Sequence, residues 1–151
     1  MRGASGRRVA VLLAGLGLGA GCGSTPAAEG VVTPSGDLAA TMEVDVGDES
    51  TTLRLHVTNV SDHPVELEFT SGQRYDFAVT TEDGESVWTW SADKSFMQAL
   101  GTETLAPGAS LRFSEAWPSN GLRGRYIAVG RITSTNEPVQ QSVIFDLHGG
   151  E

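Results

Sequence analysis

Only one of the 151 residues is a cysteine, Cys22, and only one is a lysine, Lys94. A single cysteine closes no intrachain disulfide and builds no multi-cysteine zinc site, so folding must rest on packing and hydrogen bonds. Positive charge is scarce: 10 basic residues against 19 acidic ones give a net charge of −9. A nucleic-acid binder needs a basic face that displaces counterions from phosphates, and a membrane-surface protein needs a polybasic patch; this balance argues against both. Histidine is rare as well. His56, His63 and His148 form no pair at ligand spacing, and Asp45, Asp48 and Glu49 do not follow the spacing of a calcium loop. No serine lies in a Gly-x-Ser-x-Gly elbow, and a domain this small leaves little room for a cleft with two opposed carboxylates. The composition carries no cofactor signature and points away from an enzyme.

Long apolar runs are also missing, with one exception at the start. Arg2, Arg7 and Arg8 precede twelve uncharged residues, Val9 to Ala20. As a helix these would rise about 18 Å, short of the roughly 30 Å bilayer core, so the pattern is that of a secretory signal and not of a permanent span. Gly19-Ala20-Gly21-Cys22 resembles the lipobox of bacterial lipoproteins, with the usual leucine displaced by one place to Leu18. The resemblance implies that Cys22 is acylated and becomes the first residue of an extracytoplasmic protein, anchored in the cell envelope. Residues 1–21 are then a lipoprotein signal peptide. Residues 22–36, rich in Gly, Ala, Ser, Thr and Pro, read as a flexible tether, and residues 37–151 as the folded domain. All three N-terminal arginines would leave with the signal, so the mature chain would carry −12.

Within 37–151 the apolar residues alternate with polar ones. Met42, Val44 and Val46 share a face, as do Leu53, Leu55 and Val57, then Val65, Leu67 and Phe69, then Tyr75, Phe77 and Val79. Leu111 with Phe113, and Val143 with Phe145 and Leu147, continue the pattern; near residue 128 the inward set is either Tyr126 and Ala128 or Ile127 and Val129. Period two with one apolar face is the half-buried antiparallel strand. Turns separate the runs at Gly47-Asp48, Ser61-Asp62-His63-Pro64, Glu82-Asp83-Gly84, Ala106-Pro107-Gly108 and Asn136-Glu137-Pro138. Seven or eight such strands predict an all-β, immunoglobulin-like antiparallel sandwich. The one helical pattern is Asp93 to Leu100, with Phe96, Met97 and Leu100 able to pin it to the core. Trp88 and Trp90, two apart, share a face; turned inward they fill the sandwich, turned outward they could stack on sugars.

The ordered series from Leu53 to Trp117 is similar to the BsuPI domain family, named after an intracellular proteinase inhibitor. The resemblance runs through Asn59 with Ser61, the Phe69-Thr70-Ser71-Gly72-Gln73 turn and Tyr75-Asp76-Phe77. It continues through Val87-Trp88, Trp90-Ser91, Phe96, Leu105-x-Pro107-Gly108 and Trp117, with Gly124 to Ile132 following on. It implies an immunoglobulin-like sandwich that inhibits a subtilisin-type serine protease by steric occlusion. The resemblance supplies no reactive-site residue to carry onto this chain. The residues themselves offer two protein-contact loops. One is Ser71-Gly72-Gln73-Arg74, polar and between strands. The other is Lys94-Ser95-Phe96-Met97-Gln98, whose Phe96 or Met97 would suit an apolar specificity pocket unless both are pinned in the helix. The partner expected on this reading is an exported serine protease. The rival is an envelope module that binds or assembles with a different protein.

Overall fold

The structure, a computed structural model, describes residues 28–29 and 33–149. Cys22 and the predicted signal peptide lie outside them. Eleven strands form among the described residues, nine of them with four or more residues, against the seven or eight expected. β1 (Ala28–Glu29) and β2 (Thr33–Ser35) both pair with β3 (Leu38–Val46), which pairs with β4 (Thr51–Asn59), which pairs with β9 (Ser110–Trp117). A second sheet runs β11 (Gln140–His148), β10 (Arg123–Ile132), β6 (Tyr75–Thr81), β7 (Ser86–Thr89). β5 (Val65–Phe69) and β8 (Gly101–Leu105) make a two-stranded ribbon. All pairings are antiparallel. Strand pairing therefore begins inside the stretch read as a tether. Main-chain hydrogen bonds need no apolar side chain, and Gly36, at φ 62°, makes the left-handed turn from β2 into β3.

The alternation read from the sequence is the burial pattern of the strands. Leu38, Ala40, Met42 and Val44 of β3 face Leu53, Leu55 and Val57 of β4 along one inner surface; Phe77, Val79, Ala128, Val143, Phe145 and Leu147 supply the other. In β10 the inward set is Tyr126, Ala128, Gly130 and Ile132. Gly130 decides the phase. A Cβ there would stand 3.1 Å from the Phe77 ring and 3.2 Å from the Met42 sulfur, so any larger residue would require those side chains to give way. Gln141, also turned inward, donates from Nε2 to the Ala40 carbonyl of the opposite sheet at 3.1 Å.

The predicted helix over Asp93–Leu100 does not form. A single 3-10 turn occupies Trp90–Asp93, and the chain after it is irregular up to Gly101. The amide of Gly72 donates to the Met97 carbonyl at 2.8 Å and so removes that acceptor from any helical ladder. Of the three apolar anchors only Phe96 packs, against Trp90. Met97 and Leu100 face solvent.

The β5–β8 ribbon spans one end of the sandwich, and Asn59 holds its near side. Asn59 is fully buried. Its Nδ2 donates to the carbonyls of His63 and Leu105, both at 2.8 Å, and its Oδ1 accepts from the amide and hydroxyl of Ser61. Its main chain binds the Ala106–Ala109 turn through Ala109 O and Gly108 N. That turn has Pro107 at its second position and Gly108 at φ 76° at its third, the type II arrangement. On the far side Asn136 takes the place of a neighbouring strand: its Oδ1 accepts from Glu68 N and its Nδ2 donates to Glu66 O.

Replacing Asn59 by Ala leaves the buried Leu105 carbonyl without its side-chain donor and the Ser61 amide without its acceptor. Each orphaned polar group in a buried setting costs about 1–3 kcal/mol, so Asn59→Ala should destabilise the domain by about 2–4 kcal/mol in urea unfolding. Thr58→Ala, which removes an exposed bond to Ser110, should change stability by less than about 1 kcal/mol. Equal effects of the two substitutions would contradict this account.

Candidate functional site

Both loops singled out in the sequence lie at the ribbon end, and they touch. The Gly72–Met97 hydrogen bond joins Ser71–Arg74 to Lys94–Met97 directly. Ser71–Arg74 is closely held. Gln73 N donates to Ser71 Oγ, Gln73 Nε2 to Tyr75 O, and Arg74 Nη1 to Ser71 O at 2.8 Å. The carbonyls of Gln73 and Arg74 accept from Thr133 Oγ1 and Thr133 N. Arg74 also lies over the Phe69 ring, 4.3 Å from its centroid, and 3.6 Å from Glu103. It is half-buried, so it serves as a strut between β5, β8 and its own loop and is not a free cation.

Below the second loop runs a row of rings. Phe96 tilts against Trp90 at 5.8 Å, Trp90 stacks on Tyr75 at 4.5 Å, and Tyr75 stacks on Phe113 at 4.3 Å. The Lys94 ammonium sits 4.9 Å from the Trp90 ring centre. Buried Asp76 fixes the turn that carries Trp90: its carboxylate accepts from Ser91 Oγ at 2.6 Å, Ser91 N at 3.2 Å and Phe77 N at 2.9 Å. Arg131 supplies a countercharge 3.5 Å away. Trp88 packs with Trp117 at 6.5 Å. Both indoles of the Trp88/Trp90 pair thus pack against rings of the protein and are half-buried. The second loop leaves two large apolar side chains open, Met97 at 78% exposed and Leu100, outside the expected loop, at 87%, with Lys94, Ser95 and Gln98 exposed beside them.

A separate depression of about 480 Å³ lies on the outer face of β3, β4 and β9, lined by Thr41, Glu43, Arg54, His56, Arg112 and Ser114. Arg54 is 3.7 Å from Asp45, and Glu43 sits opposite it in register, so the arginine is largely answered by acids. Among the described residues no group of three or more His, Cys, Asp or Glu is arranged to hold a metal.

The family model of BsuPI, described as intracellular proteinase inhibitor, matches residues 38–137, about two thirds of the chain. The chain belongs to the BsuPI family. The match covers the sandwich from β3 to the Asn136 turn, and so includes Asn59, the ribbon, both loops and the aromatic row. No curated protein matches the chain. Among solved structures, the C-terminal domain of wzt is similar at 16% identity and a TM-score of 0.42, over 68% of this chain and 65% of that one.

Tyr75 reports on the packing beneath the loops. Burial between Trp90 and Phe113 pushes its phenol up to about 12, and the hydrogen bond it donates to Glu115, together with that carboxylate's charge, pushes the same way. A folded value raised above the unfolded 10.0 means a contribution that is complete below pH 10 and lost as the pH climbs toward 12. Urea midpoints of the wild type should therefore fall more steeply than those of Tyr75→Phe across that window. Parallel falls would show that the phenol is not held as described.

Proposed function

We propose that the protein is an extracytoplasmic inhibitor of a subtilisin-type serine protease, held on a membrane by lipid at Cys22, and that it acts by placing the Lys94–Leu100 segment across the protease cleft. The observation that carries this reading is the joined loop pair on a chain of the BsuPI family. An irregular segment with exposed apolar side chains is tied by main-chain hydrogen bonds to a second loop that is itself fastened at several points. A tight inhibitor must lose little entropy on binding, so its contact segment has to be ordered beforehand. Here packing on Trp90 and the Gly72–Met97 bond supply that order without a disulfide. The chain performs no chemistry; occlusion suffices. Cys22, with its signal-like flank, supports the anchored location.

Titrating the full chain against a subtilisin-type and a trypsin-type protease tests the activity. Saturable loss of subtilisin-type activity with the inhibitor uncleaved is the expected result. No inhibition at micromolar excess by a folded chain would exclude it and leave the envelope-assembly reading. The anchor has its own test: in the bacterial host Cys22→Ser should lose the acyl mass and move from the membrane to the soluble fraction. Wild type without acyl mass, or a variant still in the membrane fraction, would contradict lipidation.

A further inference from the structure

A segment that lies in a serine-protease cleft as a substrate does needs one residue with two free groups. Its side chain must be available to the primary specificity pocket, and its carbonyl must be free to meet the oxyanion donors. The main chain around it should be held, so that ordering costs little at binding. Three apolar residues of the exposed segment can be compared on these terms. Phe96 fails the first: its ring is half-buried against Trp90. Met97 passes the first and fails the second, because its carbonyl already accepts from Gly72 N at 2.8 Å and Ala99 N at 3.0 Å. Leu100 passes both. Its side chain is 87% exposed, and neither its carbonyl nor its amide has a hydrogen-bond partner among the described residues.

The surroundings of Leu100 are those of a supported contact residue. Two residues before it, the Met97–Ala99 bond closes a tight turn; directly after it, Gly101 pairs with Phe69 at the start of β8. Arg74 passes behind Gly101 so closely that a Cβ there would stand 2.8 Å from its Nη2. Gly101 thus leaves room for the strut, and presents no side chain of its own beside Leu100.

We propose that Leu100 is the residue that enters an apolar primary pocket of the target protease, with Gly101 following it through the cleft. The assignment rests on the inhibitor reading above and sharpens it to one residue. Met97 lies at the edge of the contact, its carbonyl used to join the loops.

The test uses the full chain and the variants Leu100→Ala, Leu100→Arg and Met97→Ala, titrated against the subtilisin-type and trypsin-type proteases. Loss of a central apolar anchor should weaken inhibition of the first enzyme at least about tenfold in Leu100→Ala, and Met97→Ala should stay within about threefold of wild type. Leu100→Arg should lose the first enzyme and gain the trypsin-type one, whose primary pocket takes a basic side chain. Both sites are exposed, so urea midpoints should match that of the wild type. If wild type inhibits while the Leu100 variants are unchanged, or if Met97→Ala carries the loss, Leu100 is wrongly assigned and the inhibitor reading stands. If wild type inhibits neither protease, both fall.

Discussion

Asn59 is the point on which the arrangement of the loop end depends. Its side chain and main chain together join the end of β4, the Ser61–His63 turn, the last residue of β8 and the Ala106–Ala109 turn. Each polar atom of the side chain has a partner. In a buried setting, such a network is strong when complete and costly when broken. The direction of the β5–β8 ribbon follows from it. With Leu105 pinned at Asn59, the ribbon must cross the end of the sandwich, and its far end reaches the second sheet, where Asn136 and Thr135 take up the Glu66 and Glu68 main-chain groups. Ser71–Arg74 begins just past that far end, and Leu100 sits across from it. Both loops thus lie at the far end of the ribbon that Asn59 anchors at its near side, and they are held there by Thr133, Asp76 and each other.

Rigidity at the loops has the same origin. Small domains often rely on disulfides, which lower the entropy of the unfolded chain. This domain substitutes polar groups taken out of water and fully paired. Asp76 holds the Ser91 turn under Trp90, Arg74 fills the space behind Gly101, and Thr133 fastens the Gln73 and Arg74 carbonyls. Single substitutions act on the arrangement through the hydrogen-bond partners of one residue.

The strand faces were legible in the sequence because period two writes burial directly into residue order, and the turns because Gly and Pro mark backbone that other residues adopt poorly. The Asp93–Leu100 segment misled because Phe96, Met97 and Leu100 have helical spacing, whereas the partner that prevents a helix, Gly72, is more than twenty residues earlier. The loops could be named from polarity and position, but not their contact. Leu100 was missed for a related reason: what separates it from Met97 is which carbonyl is already bonded, and no local pattern encodes that. The phase of β10 is not encoded in its own alternation; it is set by Gly130 lying against Phe77 and Met42.

The direction of the strands adds a constraint on how an anchored inhibitor would work. β1 pairs antiparallel to β3, with Ala28 opposite Val44 and Glu29 opposite Glu43, so Ala28 is the β1 residue nearer the Gly47 turn. That is the end away from the loops, since β6 and β10 place Tyr75 and Ile132 at the other end beside Thr133 and Arg74. The distance along β3 from Val44 to Leu38 is about 20 Å at the usual rise per strand residue. With Cys22 as the attachment point proposed above, only the short stretch up to Ala28 separates lipid from sheet, at most about 20 Å even when fully extended. The domain would then stand close to the membrane with its sheets as a spacer and Leu100 at the distal end. On the anchored reading proposed above, a protease approaching from the aqueous side would meet the contact segment first.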